Sequence, residues 1–223
     1  MDEQSVASSV QSILGILPEG VTLVAAAKGR TADEVRTAIR AGVAHVGHNY
    51  VQEALHMIPH VPEPVVWHMI GHLQSNKVRS AVPLFDIIES VDSSKLAQEI
   101  ERHCAAQDKV MAVLIEVNIG REAAKSGVPP DGADDLAQFV STLPHLRLQG
   151  LMTMGPRFGD PEEARPYFRA AKQAFDRLAH AGLGNVEMRY LSMGMSNSLR
   201  VAVEEGANVV RIGTLLFGER PEG

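Results

Sequence analysis

Short apolar runs alternate with amphipathic segments along nearly the whole chain. Residues 5–17 carry Val6, Val10, Ile13, Leu14 and Leu17 at helical spacing, which predicts an amphipathic helix ahead of the first strand. Residues 21–30, VTLVAAAKGR, read as a short buried strand in small residues, bounded by Gly20 and Gly29 and ending on Lys28. Thr31 to Glu34 is a capping box for a helix with Val35, Ala38 and Ile39 as its buried stripe and Gly42 as its stop. A second strand over 45–49 and a helix over 50–58, ended by Pro59, follow. The third strand is 65–71, VVWHMIG, then a short basic helix over 74–81. Residues 87–91 form the fourth strand, and Asp92 or Ser93 caps a helix buried through Leu96, Ile100 and Cys104.

The fifth strand, 111–118, is apolar nearly throughout, as a strand covered on both faces should be. A polar loop, REAAKSGVPPDG, leads to a helix over 133–143 and a sixth strand over 146–153. Asp160 and Pro161 open a helix towards Ala181, in which Pro166 demands either a separate first turn or a kink. The seventh strand is 187–193, a helix spans 196–205, and the eighth strand is 209–217. Eight strands at near-even spacing, alternating with helices, predict a single α/β domain over 1–223. A closed (β/α)8 TIM barrel is favoured over an open doubly wound sheet.

Composition narrows the class. A net charge of −6 does not suggest a nucleic-acid or anionic-membrane partner. Cys104 is the only cysteine, and Asp2 and Glu3 stand where a signal peptide carries positive charge, so a reducing cytoplasm is expected. No apolar run approaches the ~20 residues of a membrane span.

A lysine at the C-terminal end of a barrel strand sits where such folds place their chemistry. Small neighbours leave space beside the Lys28 stem, and a partly desolvated amine can attack a carbonyl to form a Schiff base. Lys77 and Lys125 also follow strands, but one lies on a basic helix and the other in a polar loop beside Gly127. The loops after strands seven and eight read LSMGMSNS and RIGTLLF. In barrels these loops often hold a phosphate. Ser196 is placed to cap the following helix, with Gly213 and Thr214 offering close backbone and a second hydroxyl. Period-two alternation puts Arg211 and Gly213 on one strand face. If that face is the interior, Arg211 needs either a ligand acceptor, such as a ring nitrogen, or an internal carboxylate such as Glu116. The pairs His45/His48 and His68/His72 fall on strands or strand ends, where their spacing does not make a metal site, and no H-E-x-x-H or P-loop is present.

VAAAKGR, HVGHNYVQEA, WHMIGHLQSNKVR, ESVDSSKLA, VLIEVNIGREAAKSG, LQGLMTMG, LSMGMSNS and VRIGTLLFGER, in that order, resemble the pyridoxal phosphate homeostasis protein family. The resemblance implies a barrel of the alanine racemase N-terminal type that binds pyridoxal 5′-phosphate (PLP). It implies that Lys28 is the Schiff-base lysine, that Asn49 lies near the ring, that Ser196, Gly213 and Thr214 hold the phosphate, and that Arg211 meets the pyridine nitrogen. The chain departs from the family's usual pattern at His48, at the alanines before Lys28 and in the residues after Ser196, where an acidic residue is usual.

The resemblance further implies a carrier or buffer of PLP with no robust catalysis, serving PLP-requiring apo-enzymes and compatible with a monomer. The alternatives are a PLP-dependent amino-acid racemase, which would need a tyrosine from an added domain after the barrel, and an aldolase-type Schiff-base enzyme without PLP.

Overall fold

Eight parallel strands close into a barrel, each neighbouring the next in chain order, with the eighth paired to the first. The computed structural model describes residues 2–122, 124–155 and 159–219. Ala123 and Arg220, which belong to two of the motifs above, lie outside the described residues, as does Gly223. The strands are β1 (Thr22–Ala26), β2 (His45–His48), β3 (Val66–Met69), β4 (Ile87–Val91), β5 (Met111–Glu116), β6 (Leu146–Met152), β7 (Val186–Ser192) and β8 (Val209–Ile212). The helices are α1 (Glu3–Ile16), α2 (Ala32–Arg40), α3 (Val51–Met57), α4 (Val78–Ala81), α5 (Ser94–Ala105), α6 (Ala133–Val140), α7 (Arg165–Ala179), α8 (Leu199–Glu204) and α9 (Thr214–Phe217). Among the described residues no helix is long and apolar enough to cross a membrane.

Local signals act where the sequence places them. Thr31 and Glu34 form the capping box of α2, and the Ser93 hydroxyl, not Asp92, accepts from the Leu96 N–H to start α5. Pro166 lies in the first turn of α7, behind a separate 3-10 turn over Pro161–Ala164, so it removes no interior hydrogen bond. The predicted helix over 74–81 divides into a 3-10 turn, Ser75–Lys77, and α4. Two expectations fail near the C-terminus. The eighth strand ends at Ile212, because Gly213 leaves extended geometry and Thr214 begins α9. Ser196 does not cap α8. It lies in a turn closed by the Ser198 N–H donating to the Met195 carbonyl at 2.9 Å, and that turn delays the helix to Leu199.

Alternation divides the apolar residues into two cores. The larger lies between strands and helices and takes Val113 and Ile115 of β5 with Leu96, Ile100 and Phe168. Two small clusters fill the barrel interior, one around Val24, Ile70 and Val209 and one around Ile87, Leu114 and Met152. The register shifts on both sides of Gly150, where a Cβ would lie 1.8 Å from the Tyr190 carbonyl oxygen, so only glycine admits that approach.

His48 is fully buried, its ring stacked on Trp67 at 5.6 Å between centroids, and neither ring nitrogen has a hydrogen-bond partner. Burial alone pushes its pKa down from 6.5 to about 4. The unfolded chain therefore holds the extra proton between those values. Stability is complete above pH 6.5 and declines as the pH falls towards 4. For one such imidazole the loss is on the order of 3 kcal/mol. His45, pushed to about 4 by burial and by His68, adds in the same direction. Urea unfolding at neutral and mildly acidic pH should therefore show a steep loss in the native protein and a shallower one in His48→Phe. Equal slopes would place the acid sensitivity elsewhere.

Candidate functional site

A cavity of about 300 Å³ opens at the C-terminal mouth of the barrel, and it is lined by all six residues singled out from the sequence: Lys28, Asn49, Ser196, Arg211, Gly213 and Thr214. They reach it from four places: the exits of β1 and β2, the connection after β7, and the end of β8 with the residues that follow it. No carboxylate, imidazole or phenol is among the described residues lining it.

Lys28 sits two residues beyond β1. Ala25 and Ala27 are fully buried beside it, and the Ala27 N–H donates to the Gly47 carbonyl at 2.9 Å, which fixes the backbone leading to the lysine. The Lys28 ammonium donates to the Tyr50 hydroxyl at 3.3 Å and lies 4.9 Å from the centroid of that ring. Tyr50 therefore belongs to the mouth, an assignment the sequence does not make. Arg30 was also not foreseen. Its guanidinium donates to the carbonyls of Phe217 at 3.0 Å and Gly218 at 2.5 Å, and it pairs with Glu34 at 3.6 Å. The loop carrying Lys28 is thus tied to the end of α9, across the seam where the barrel closes.

Asn49 leaves the end of β2 against Gly71. A Cβ on Gly71 would come within 2.3 Å of the Asn49 carbonyl oxygen, so the placement of Asn49 depends on that glycine. Ser196 reaches the cavity from its turn, and Gly213 and Thr214 from the step between β8 and α9. Both neighbouring helices are too short for a strong dipole. An anion here would be held by hydroxyls and backbone N–H groups rather than by helix ends.

Arg211 is buried in the barrel interior and carries the most elaborate support. It donates to the Ser192 hydroxyl at 2.5 Å and to the Thr153 carbonyl at 2.8 Å. Its carboxylate neighbour is Glu89, at 3.8 Å, and not Glu116 as the sequence suggested. Glu89 accepts from Ser192 at 2.6 Å and is bonded at 2.7 Å to His68, whose other ring nitrogen meets His45 at 2.9 Å. A hydrogen-bonded line therefore crosses the interior from β2 through β3, β4 and β7 to β8. Burial pushes the Glu89 carboxyl up. The His68 hydrogen bond and charge, then Arg211 and Ser192, outweigh it and hold the carboxyl below its usual range. Burial lowers the Arg211 pKa, with Glu89 and Glu116 countering. Burial, with the nearby Asp92 charge, raises Glu116 to about 7.

The remaining candidates fall elsewhere. Lys125 is bonded to Glu122 at 2.6 Å and to the Gly155 carbonyl at 2.8 Å, and Lys77 lines a neighbouring cavity. His45 and His48 lie on opposite faces of β2, and His72 meets Asp92 at 3.2 Å. Among the described residues no group of three or more potential ligands is arranged to hold a metal.

Residues 2–221 match the family described as alanine racemase, N-terminal domain. The chain is 41% identical to the pyridoxal phosphate homeostasis protein of Aquifex aeolicus over 199 residues, covering 89% of this chain and 86% of that protein. It is 42% identical to the protein of the same name from Pseudomonas aeruginosa over 209 residues, covering 92% and 87%. The solved structure of PipY from Synechococcus elongatus with PLP bound superposes with a TM-score of 0.87 at 34% identity, covering 96% of this chain and all of that one.

The line through Glu89 gives a direct expectation. Glu89→Ala would leave the Arg211 guanidinium buried without its neighbouring charge, and loss of one member of a buried pair costs about 3–5 kcal/mol. Chemical denaturation at neutral pH measures this. A loss under about 1 kcal/mol would show that Ser192 and Thr153 support Arg211 unaided.

Proposed function

The chain belongs to the family of pyridoxal phosphate homeostasis proteins, and on that premise we propose how its own residues serve that role. It binds PLP in the cavity at the barrel mouth, holds it as a Schiff base on Lys28, and stores and delivers it without robust turnover of its own. The observation that carries this reading is the convergence on a single cavity of one primary amine, the interior Arg211 guanidinium and two hydroxyls, with Arg30, tied to the end of α9, at its edge. That donor set complements the aldehyde, the ring nitrogen and the phosphate of PLP. When bound, PLP supplies an aldehyde that condenses reversibly with primary amines, which suffices for hand-over to a recipient such as a PLP-requiring apo-enzyme.

Each residue has a distinct task. Lys28 is the amine, and Tyr50 steadies it from outside the cavity. Asn49 flanks the ring, with Gly71 setting its position. Ser196, Gly213 and Thr214 receive the phosphate. Arg211 keeps its proton at neutral pH, so it donates to the ring nitrogen and disfavours protonation there, which weakens the electron withdrawal that most PLP chemistry requires. Racemisation also needs acid/base groups on opposite faces of one carbon. Among the described residues lining this cavity none is such a partner for Lys28, and the one phenol beside it, Tyr50, is bonded to the lysine itself and lines the neighbouring cavity, which favours the carrier over the racemase.

Borohydride reduction followed by peptide mapping tests the lysine. The PLP mass should fall on the Lys28 peptide, and Lys28→Ala should lose most of the visible band. Label on Lys77 or Lys125 with Lys28 unmodified would move the site, and alanine racemisation at ~1–10³ s⁻¹ would make the protein an enzyme. The phosphate contacts have their own measure. Replacing Ser196 and Thr214 together by alanine should weaken PLP binding by about a hundredfold or more, since each charge-assisted bond contributes roughly 1.5–3 kcal/mol. Unchanged affinity in a fluorescence titration would put the phosphate in other loops.

A further inference from the structure

Two carboxyl groups of the barrel interior act on Arg211, and they are supported very differently. Both oxygens of Glu89 are bonded, one to His68 at 2.7 Å and one to the Ser192 hydroxyl at 2.6 Å. Glu116 has no such support. Alternation along β5 puts it on the inward face with Leu114, and it is the last residue of that strand, at the mouth end. It is only 6% exposed, and its Oε2 is enclosed with no hydrogen-bond partner among the described residues. A carboxylate ionised there would lack a bonded donor, so burial favours the neutral acid.

The charged groups around Glu116 leave that preference in place. Asp92, the residue after β4, adds a second negative charge, and it is itself held by His72 at 3.2 Å and by the Ser93 hydroxyl at 3.1 Å. On β6 the residue paired with Glu116 is Met152, which carries no charge. In the loop after β5, Lys125 is taken by Glu122 at 2.6 Å and by the Gly155 carbonyl at 2.8 Å. Arg211 is the cation that acts on Glu116, but its ion pair is with Glu89. Burial and Asp92 outweigh Arg211 and raise the Glu116 carboxyl to about 7. Arg211 contacts Ser192, Thr153 and the Met154 sulfur, and its guanidinium has more N–H donors than these contacts use. Arg211 lines the Lys28 cavity and Glu116 does not, so Glu116 acts on a ligand there through Arg211 and through its own charge.

We propose that Glu116 is a positioning residue that ties retention of PLP to a proton. Neutral, it leaves the free donors of Arg211 to the ring nitrogen. Ionised, it draws those donors towards itself and sets a further negative charge near an anionic ligand. Both effects have one sign. Retention weakens as the pH rises through neutrality, and binding takes up a proton. This role rests on the PLP site proposed above, though not on which lysine forms the Schiff base.

Glu116→Gln keeps the shape of the neutral acid and does not ionise. Every other pH-sensitive group is common to the two proteins, so the ratio of their PLP affinities isolates Glu116. The two should bind PLP alike at about pH 6, and the variant should bind about fivefold or more tightly than the native protein at about pH 8.5. Calorimetry in buffers of different ionisation enthalpy should find proton uptake on binding at about pH 7.5 in the native protein and less in Glu116→Gln. Without PLP, the Glu116 carboxyl carbon of the ¹³C-labelled protein should titrate near neutrality, and Asp92→Asn should move that midpoint down, a response that a merely structural Glu116 would not give. A flat affinity ratio, equal proton uptake, or a midpoint in the ordinary carboxylate range would each overturn the role. A visible band that survives Lys28→Ala would instead overturn the lysine assignment, and the proton uptake would still decide Glu116.

Discussion

A guanidinium inside a barrel is the constraint on which the rest of this structure turns. Arg211 lies in the interior with Glu89 at 3.8 Å, and an uncompensated charge there would be far more costly than any contact at the mouth could offset. The compensation is distributed. Ser192 bridges the pair, Thr153 contributes a carbonyl, and His68 and His45 extend the polar line to the opposite wall. Apolar clusters on either side of this line leave little water to screen it, so each hydrogen bond is stronger and each omission more damaging.

Above that layer the mouth is built by different means. Lys28 and Asn49 are set by backbone geometry, through small residues that let the chain approach closely. The loops proposed to take the phosphate contribute hydroxyls and N–H groups without long helices behind them. The site thus joins a rigid, charged floor to a rim whose polar groups are half-exposed. Such a division suits the proposed role of holding PLP and still releasing it.

Much of this was legible in the sequence. Eight strands, their spacing and the capping box at Thr31 follow from apolar period and local chemistry, and the six lining residues follow from strand-end position and motif resemblance. What stayed hidden depends on contacts between distant strands. Glu89 sits in a run of apolar strand residues, and nothing local says that its carboxylate meets Arg211 across the barrel. Glu116, an equally plausible partner on the sequence, lies on a neighbouring strand without being the group that pairs. Ser196 looked like a helix cap because serine before an apolar stretch usually is one. The turn that follows it is set by packing that no short window records. Tyr50 and Arg30 were missed for the same reason, as their partners are 22 and 187 residues away.

The clasp from Arg30 to Phe217 and Gly218 bears on how the protein is made. It joins the first strand-to-helix connection to the last, alongside the pairing of β1 with β8. These contacts span the longest loop in the chain, so closing them carries the largest entropic cost. On the ribosome, Lys28 emerges early, while Arg211 and Thr214 emerge only as the final strand is completed. A nascent chain therefore presents Lys28 before Arg211, Gly213 and Thr214 are there to line a cavity with it. On the proposed reading, capacity to retain PLP becomes a mark of a finished barrel, withheld from any chain interrupted before its last strand.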